Sequence, residues 1–125
     1  MSERVFLAVA GASGAVSVAI DAAASHLLAG DPYRAALAAT AARYGLIHAA
    51  ALVALSVLIA RTRSLWLSAS GWLFVAGVAL FCGGLDLVVA GAPAQLTMLV
   101  PWGGTSFILG WIALLIGALR PRPAA

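Results

Sequence analysis

The sequence predicts an all-α integral membrane protein: a bundle of four helices that each cross a bilayer, with both termini in the cytoplasm. Three observations carry that prediction. Hydrophobic residues make up 64% of the 125 positions and charged residues only 9%, whereas soluble domains are about half apolar and about a quarter charged. The apolar residues fall into four runs divided by short Arg-, Pro- and Gly-containing breaks, and a helix needs about 20 apolar residues to cross a bilayer. The arginines are unevenly shared between the two sides of such a topology. Four crossings commit most of the chain, so 1–125 is read as a single domain.

The first span is expected over about Val5–Leu28. The same stretch has features of a secretory signal, with Arg4 ahead of the apolar run and small residues at Ala22-Ala23-Ala24. Its apolar part is longer than the usual signal core, which favours a span. After Gly30, Asp31 is a natural N-cap with Pro32 at the first helical position, so a second helix should start there. Its membrane part is placed at about 36–60. The basic break Arg61-Thr62-Arg63-Ser64 precedes a third span over about 65–90, with Trp66 and Trp72 assigned to interfacial depth. Gly91-Ala92-Pro93 ends it, and Ala94 to Val100 is read as an interfacial approach segment. Pro101-Trp102-Gly103-Gly104 interrupts the beginning of the last run. It is read as a candidate non-helical re-entrant element, which membranes tolerate only inside protein or beside a water-filled cavity. The fourth span then covers about 104–119.

Arg4, Arg61, Arg63, Arg120 and Arg122 fall on one side of this topology, and Arg34 and Arg43 on the other. The positive-inside bias puts the first group, and both termini, in the cytoplasm. A net charge of +3 is too small for the clustered phosphate contacts of nucleic-acid binding, so nucleic acid is not an expected partner. Cys82 is the single cysteine, so no disulfide within the chain is possible.

Helices in lipid associate through close approach of small residues. Gly103, Gly110 and Gly117 recur every seven residues on the fourth span and predict one smooth packing stripe. Ser13, Ser17, Asp21 and Ser25 recur every four on the first. They are read either as a packing face or as the polar lining of a permeation path.

Ionisable residues inside spans are rare and are functional candidates. By helical rise, Asp21 lies about 25 Å beyond Arg4, Asp86 about 30 Å beyond Leu65, and His48 about 20 Å from Arg61. Asp21, His26, Arg43, Tyr44, His48 and Asp86 therefore gather toward the outer leaflet as a candidate polar cluster. This gathering permits Asp21 or Asp86 to pair with Arg43 or His48, which would offset the cost of a carboxylate near hydrocarbon. Such a cluster is a structural polar knot, a proton or cation site opening outward, or a set of groups that simply face water. His26 and His48 differ in depth by about 10 Å, which argues against haem ligation. No metal-ligand spacing, nucleophile elbow, phosphate loop or paired-cysteine motif occurs, so neither a cofactor nor a metal is expected.

Several signatures together resemble a known family. Val18-Ala19-Ile20-Asp21-Ala22-Ala23-Ala24-Ser25-His26 is similar to a Val-Ala-Leu followed by Gly-Ala-Phe-Gly-Ala-His, and Tyr44-Gly45-Leu46-Ile47-His48 to a Tyr-x-x-x-His element. Leu80-Phe81-Cys82-Gly83-Gly84-Leu85-Asp86 is similar to Leu-Phe-Ser-Gly-Ser-Leu-Tyr. The most specific is Pro101-Trp102-Gly103-Gly104-Thr105-Ser106-Phe107-Ile108-Leu109-Gly110-Trp111, similar to Pro-x-Gly-Gly-x-x-Phe-x-x-Gly-Trp. These are signatures of the YgdD-like small inner-membrane proteins, grouped as domain of unknown function 423 and related to eukaryotic transmembrane protein 256. The resemblance implies a four-span fold in the bacterial inner membrane and transfers no activity. Asp21 and Asp86 depart from its pattern, which marks the chain as a specialised variant. The expectation is a non-enzymatic accessory or assembly subunit in contact with lipid and other membrane subunits. The alternative is a small proton or cation carrier using Asp21, Asp86 and His48.

Overall fold

A computed structural model describes residues 1–120; Arg122, counted above among the cytoplasmic arginines, lies outside the described residues. Four helices are long and apolar enough to cross a membrane. They are α1 (Ser2–Leu27), α2 (Pro32–Thr62), α3 (Leu65–Val89) and α4 (Val100–Leu119), the last preceded by a 3-10 turn over Ala94–Leu99. The described residues contain no strand.

Local chemistry sets the helix ends. The Asp31 carboxylate accepts a hydrogen bond from the Arg34 amide at 3.0 Å, and Pro32, whose missing N–H is unneeded in a first turn, begins α2. Asp31→Ala should therefore lower stability by about 1 kcal/mol, read as an earlier midpoint on denaturation in detergent, while Asp31→Asn stays near wild type. At the other end of α2, Arg63 adopts the left-handed conformation that closes the helix. Inside α3 one π-turn spans Val78–Cys82.

Each helix packs against its successor, and the contacts are knobs seated on glycine. On α3, Leu67, Phe74 and Phe81 repeat every seven residues, as Gly103, Gly110 and Gly117 do on the antiparallel α4. A Cβ at Gly103 would stand 2.4 Å from the Phe81 nitrogen, one at Gly110 2.5 Å from the Phe74 ring, and one at Gly117 3.1 Å from Leu67. The exchange is reciprocal, because Phe107 of α4 fills the space over Gly77. The Ser106 hydroxyl also donates to the Leu73 carbonyl at 2.7 Å. Phe6 of α1 occupies the space over Gly71 of α3, and Ser17 of α1 that over Gly45 of α2. The expected glycine stripe is thus the seam between α3 and α4.

The fourth helix corrects one expectation. Pro101, Trp102, Gly103 and Gly104 form no re-entrant element; they are the first turns of a continuous α4. Pro101 lies in the first turn, where no amide donor is required, and Gly103 is held helical by its seat against Phe81. The approach segment is the 3-10 turn. The serine repeat is split as well: Ser17 is buried against α2, Ser13 half-buried, and Asp21 and Ser25 exposed.

Candidate polar sites at His48 and Asp86

His48 stands at the centre of the bundle, 2% exposed. Its ring lies parallel to Phe107 with centroids 3.6 Å apart and meets the edge of Phe74 at 5.0 Å. Nδ1 is 2.8 Å from the Tyr44 carbonyl oxygen, one turn back along α2. On the other side, the Trp111 indole Nε1 donates to Nε2 at 3.2 Å. An indole N–H only donates and a carbonyl only accepts. The two contacts together assign a neutral imidazole with its proton on Nδ1. Both ring nitrogens are occupied, so His48 is a hydrogen-bonded strut between α2 and α4 with no free site for a metal or a shuttled proton.

Asp86 belongs to a different place. Ser17 and Cys82 both approach Gly45. Four residues further along the parallel helices α1 and α3, Asp21 and Asp86 reach one level, about 6 Å nearer the α1–α2 turn. Phe81 meets Gly103, so Asp86 stands level with the 3-10 turn, just past the start of α4. The fourth apolar span runs over Ala94–Leu119, so Asp86 is level with its first residues, near one end of the bundle's apolar region. α1 and α3 touch at Phe6 and Gly71 and part above that point. The gap holds two adjoining cavities of about 280 and 410 Å³ that share Asp86 as a wall. The larger also contains Arg34, whose guanidinium Nη2 donates to the Val89 carbonyl at the end of α3.

The expected cluster is therefore not brought together: Asp21 and Asp86 share a level, while His48 lies deeper in the bundle beside Phe74 and Phe107. Asp21, His26 and Arg43 are exposed, and none of them has a side-chain hydrogen bond or ion pair among the described residues; the only ion pair there joins the Met1 amino group to Glu3 at 3.0 Å. The pairing of Asp21 or Asp86 with Arg43 or His48 does not occur, because rotation about each helix axis directs these groups apart and His48 is bonded elsewhere. Tyr44 and His48 do stand together, stacked within the aromatic group with Phe81 and Phe107. Among the described residues no three His, Cys, Asp or Glu side chains converge as a metal site. Sequence reasoning missed Phe74, Phe107 and Trp111 as the walls of the His48 site, and Arg34 as the neighbour of Asp86. The seven-residue spacing of Leu67, Phe74 and Phe81 was the available signal for the walls.

Comparison with known proteins finds membrane proteins of unknown function. A family profile described as "Protein of unknown function (DUF423)" matches residues 20–104. The UPF0382 inner membrane protein YgdD of Escherichia coli strain K12 is 30% identical over 122 residues, covering 96% of this chain and 93% of that protein. A UPF0382 membrane protein of Haemophilus influenzae is 32% identical over 120 residues, 94% of this chain and 95% of its own length. The UPF0382 membrane protein YwdK of Bacillus subtilis is 27% identical over 121 residues, 94% of this chain and 98% of its own. No solved structure matches the chain.

Proposed function

The chain belongs to the DUF423 family of membrane proteins of unknown function, and from that premise we propose that it is a non-enzymatic accessory or assembly subunit that docks on a larger complex within the bacterial inner membrane. The observation that carries this is the outer face of α1. Ala8, Gly11, Ala12, Ala15 and Ala19 are all exposed there, and nothing stands within 4 Å of a Cβ built on Gly11. The glycines at 45, 71, 77, 103 and 110 are by contrast filled by neighbouring helices. A smooth face of small residues lets a second helix approach closely, the main source of association in lipid. Asp21 and Arg43, exposed near the same end, are polar groups that a partner helix would satisfy. The end bearing Arg4, Arg61, Arg63 and Arg120 is assigned to the cytoplasm by the positive-inside bias.

The test is photo-crosslinking in cells at chromosomal expression. A crosslinker at Ala15 should give one discrete heavier product that Gly11→Leu removes, and a crosslinker at Leu115 on the outer face of α4 should not. Lipid adducts alone at both positions, or a product containing only a second copy of the chain, would overturn the assignment. Proton or cation carriage is the weaker reading, because His48 has no free nitrogen and Asp21 faces outward.

A further inference from the structure

The trough between α1 and α3 is built like a seat for one amphiphile. Its wider part, about 410 Å³, is lined by apolar side chains such as Ile20, Leu27 and Val89, with Arg34 and Asp86 as its charged residues. Asp86 Oδ1 and Arg34 Nε are both buried without a hydrogen-bond partner, and the two residues form no ion pair although they share one cavity. Two opposite charges, each short of a partner and held apart, fit a ligand that carries both complementary charges. Below Asp86 the trough continues, about 280 Å³ more, between Val9, Val16, Val78 and Cys82. From the level of Asp86 down to Val9 is twelve residues of α1, about 18 Å, which is about the depth of one leaflet.

We propose that this trough binds a phospholipid whose headgroup carries a phosphate and a primary ammonium, with one acyl chain lying between α1 and α3. The phosphate accepts from the Arg34 guanidinium, beside the bond that Nη2 makes to Val89. The ammonium donates to the Asp86 carboxylate, offsetting the cost of an unpartnered charge at this end of the apolar region. The headgroup chemistry is selective. A quaternary choline has no N–H to donate to Asp86, and a glycerol headgroup has no cation to offset the repulsion between its phosphate and that carboxylate. The position of the charges at one end of the trough, with mostly apolar walls and no further charge beneath them, matches a lipid and not a small soluble zwitterion. This assignment does not rest on the docking face of α1, which adjoins the trough at Ala12.

Native mass spectrometry of the full-length protein in mild detergent tests it, with phosphatidylethanolamine, phosphatidylcholine and phosphatidylglycerol of identical acyl chains. One phosphatidylethanolamine should be retained per chain about tenfold more tightly than either other lipid, the worth of one charge-assisted hydrogen bond. Asp86→Asn should erase the preference over phosphatidylcholine, and Arg34→Gln should weaken retention of all three lipids, which share the phosphate. Val16→Trp, at an exposed position that tolerates bulk, should block the trough and reduce retention of all three lipids. Equal retention of the three lipids by the wild-type protein overturns the proposal, as does an unchanged preference in Asp86→Asn or unchanged retention in Val16→Trp.

Discussion

Gly103→Ala is expected to lower stability by about 3 kcal/mol, the upper end of the cost of overpacking a core. One methyl group has this effect because it has nowhere to go. The added Cβ would lie 2.4 Å from the Phe81 nitrogen, 2.7 Å from its Cβ and 2.8 Å from its Cα. These atoms belong to or adjoin the backbone of α3, so no rotamer change relieves the contact and the helices must separate. Separation would loosen the seating of Phe107 over Gly77 and the Ser106 to Leu73 hydrogen bond, which lie on the same seam. The graded series is the sharper check. Gly110→Ala meets the ring of Phe74, which is itself fully buried, and should cost nearly as much. Gly117→Ala, where the nearest atom is a Leu67 methyl at 3.1 Å, should cost less than about 1 kcal/mol. Gly11→Ala, in open space, should stabilise by up to about 1 kcal/mol through helix propensity. The ranking of unfolding midpoints in detergent reads all four, and a flat ranking would mean that α3 and α4 do not meet along this seam.

Much of this architecture is legible in the sequence because a bilayer leaves the backbone few options. An unpaired amide is so costly in hydrocarbon that a long apolar run has to be a helix, and the breaks at Gly30-Asp31-Pro32 and Arg61 to Ser64 place the turns. The seven-residue repeat of Gly103, Gly110 and Gly117 also reads directly as a seam. Pro101 to Gly104 misleads because proline and glycine are weighed as helix breakers without regard to position or partner. In the structure Pro101 occupies a first turn and Gly103 is the only residue that fits against Phe81. The polar cluster fails for a different reason. Helical rise brings Asp21 and Asp86 to one level, but His48 lies deeper, beside Phe74 and Phe107. Azimuth is poorly encoded in helices that are apolar on every side, so nothing in the pattern says that Asp21 points outward while Asp86 faces the trough. Arg34 was counted only as a topology charge, although its place three residues after the Asp31 cap, at the mouth of the gap, brings its guanidinium to the end of α3.

The His48 strut gives the other large expected effect. His48→Ala should cost about 3–5 kcal/mol, the range for emptying a large buried site, because it removes a ring enclosed by Phe74, Phe107 and Trp111 and leaves the Trp111 N–H without an acceptor. Volume and hydrogen bonding can be separated. His48→Phe refills the space but keeps the orphaned indole, and should cost about 1–3 kcal/mol, the penalty of leaving a donor unsatisfied away from water. Trp111→Phe in the same chain removes that donor, so the double variant should be more stable than the two single losses predict, by about 1 kcal/mol or more in a double-mutant cycle. A structural strut and a proton relay differ in one further observable. The hydrogen bonds require the proton to remain on Nδ1, so nitrogen NMR of the imidazole should report a single neutral tautomer, and Trp111→Phe should release the Nε2 lone pair and let the two neutral tautomers exchange. A wild-type ring that exchanges freely between tautomers, or cycle energies that simply add, would show that Trp111 does not hold His48, and the link from α2 to α4 would then rest on aromatic packing alone.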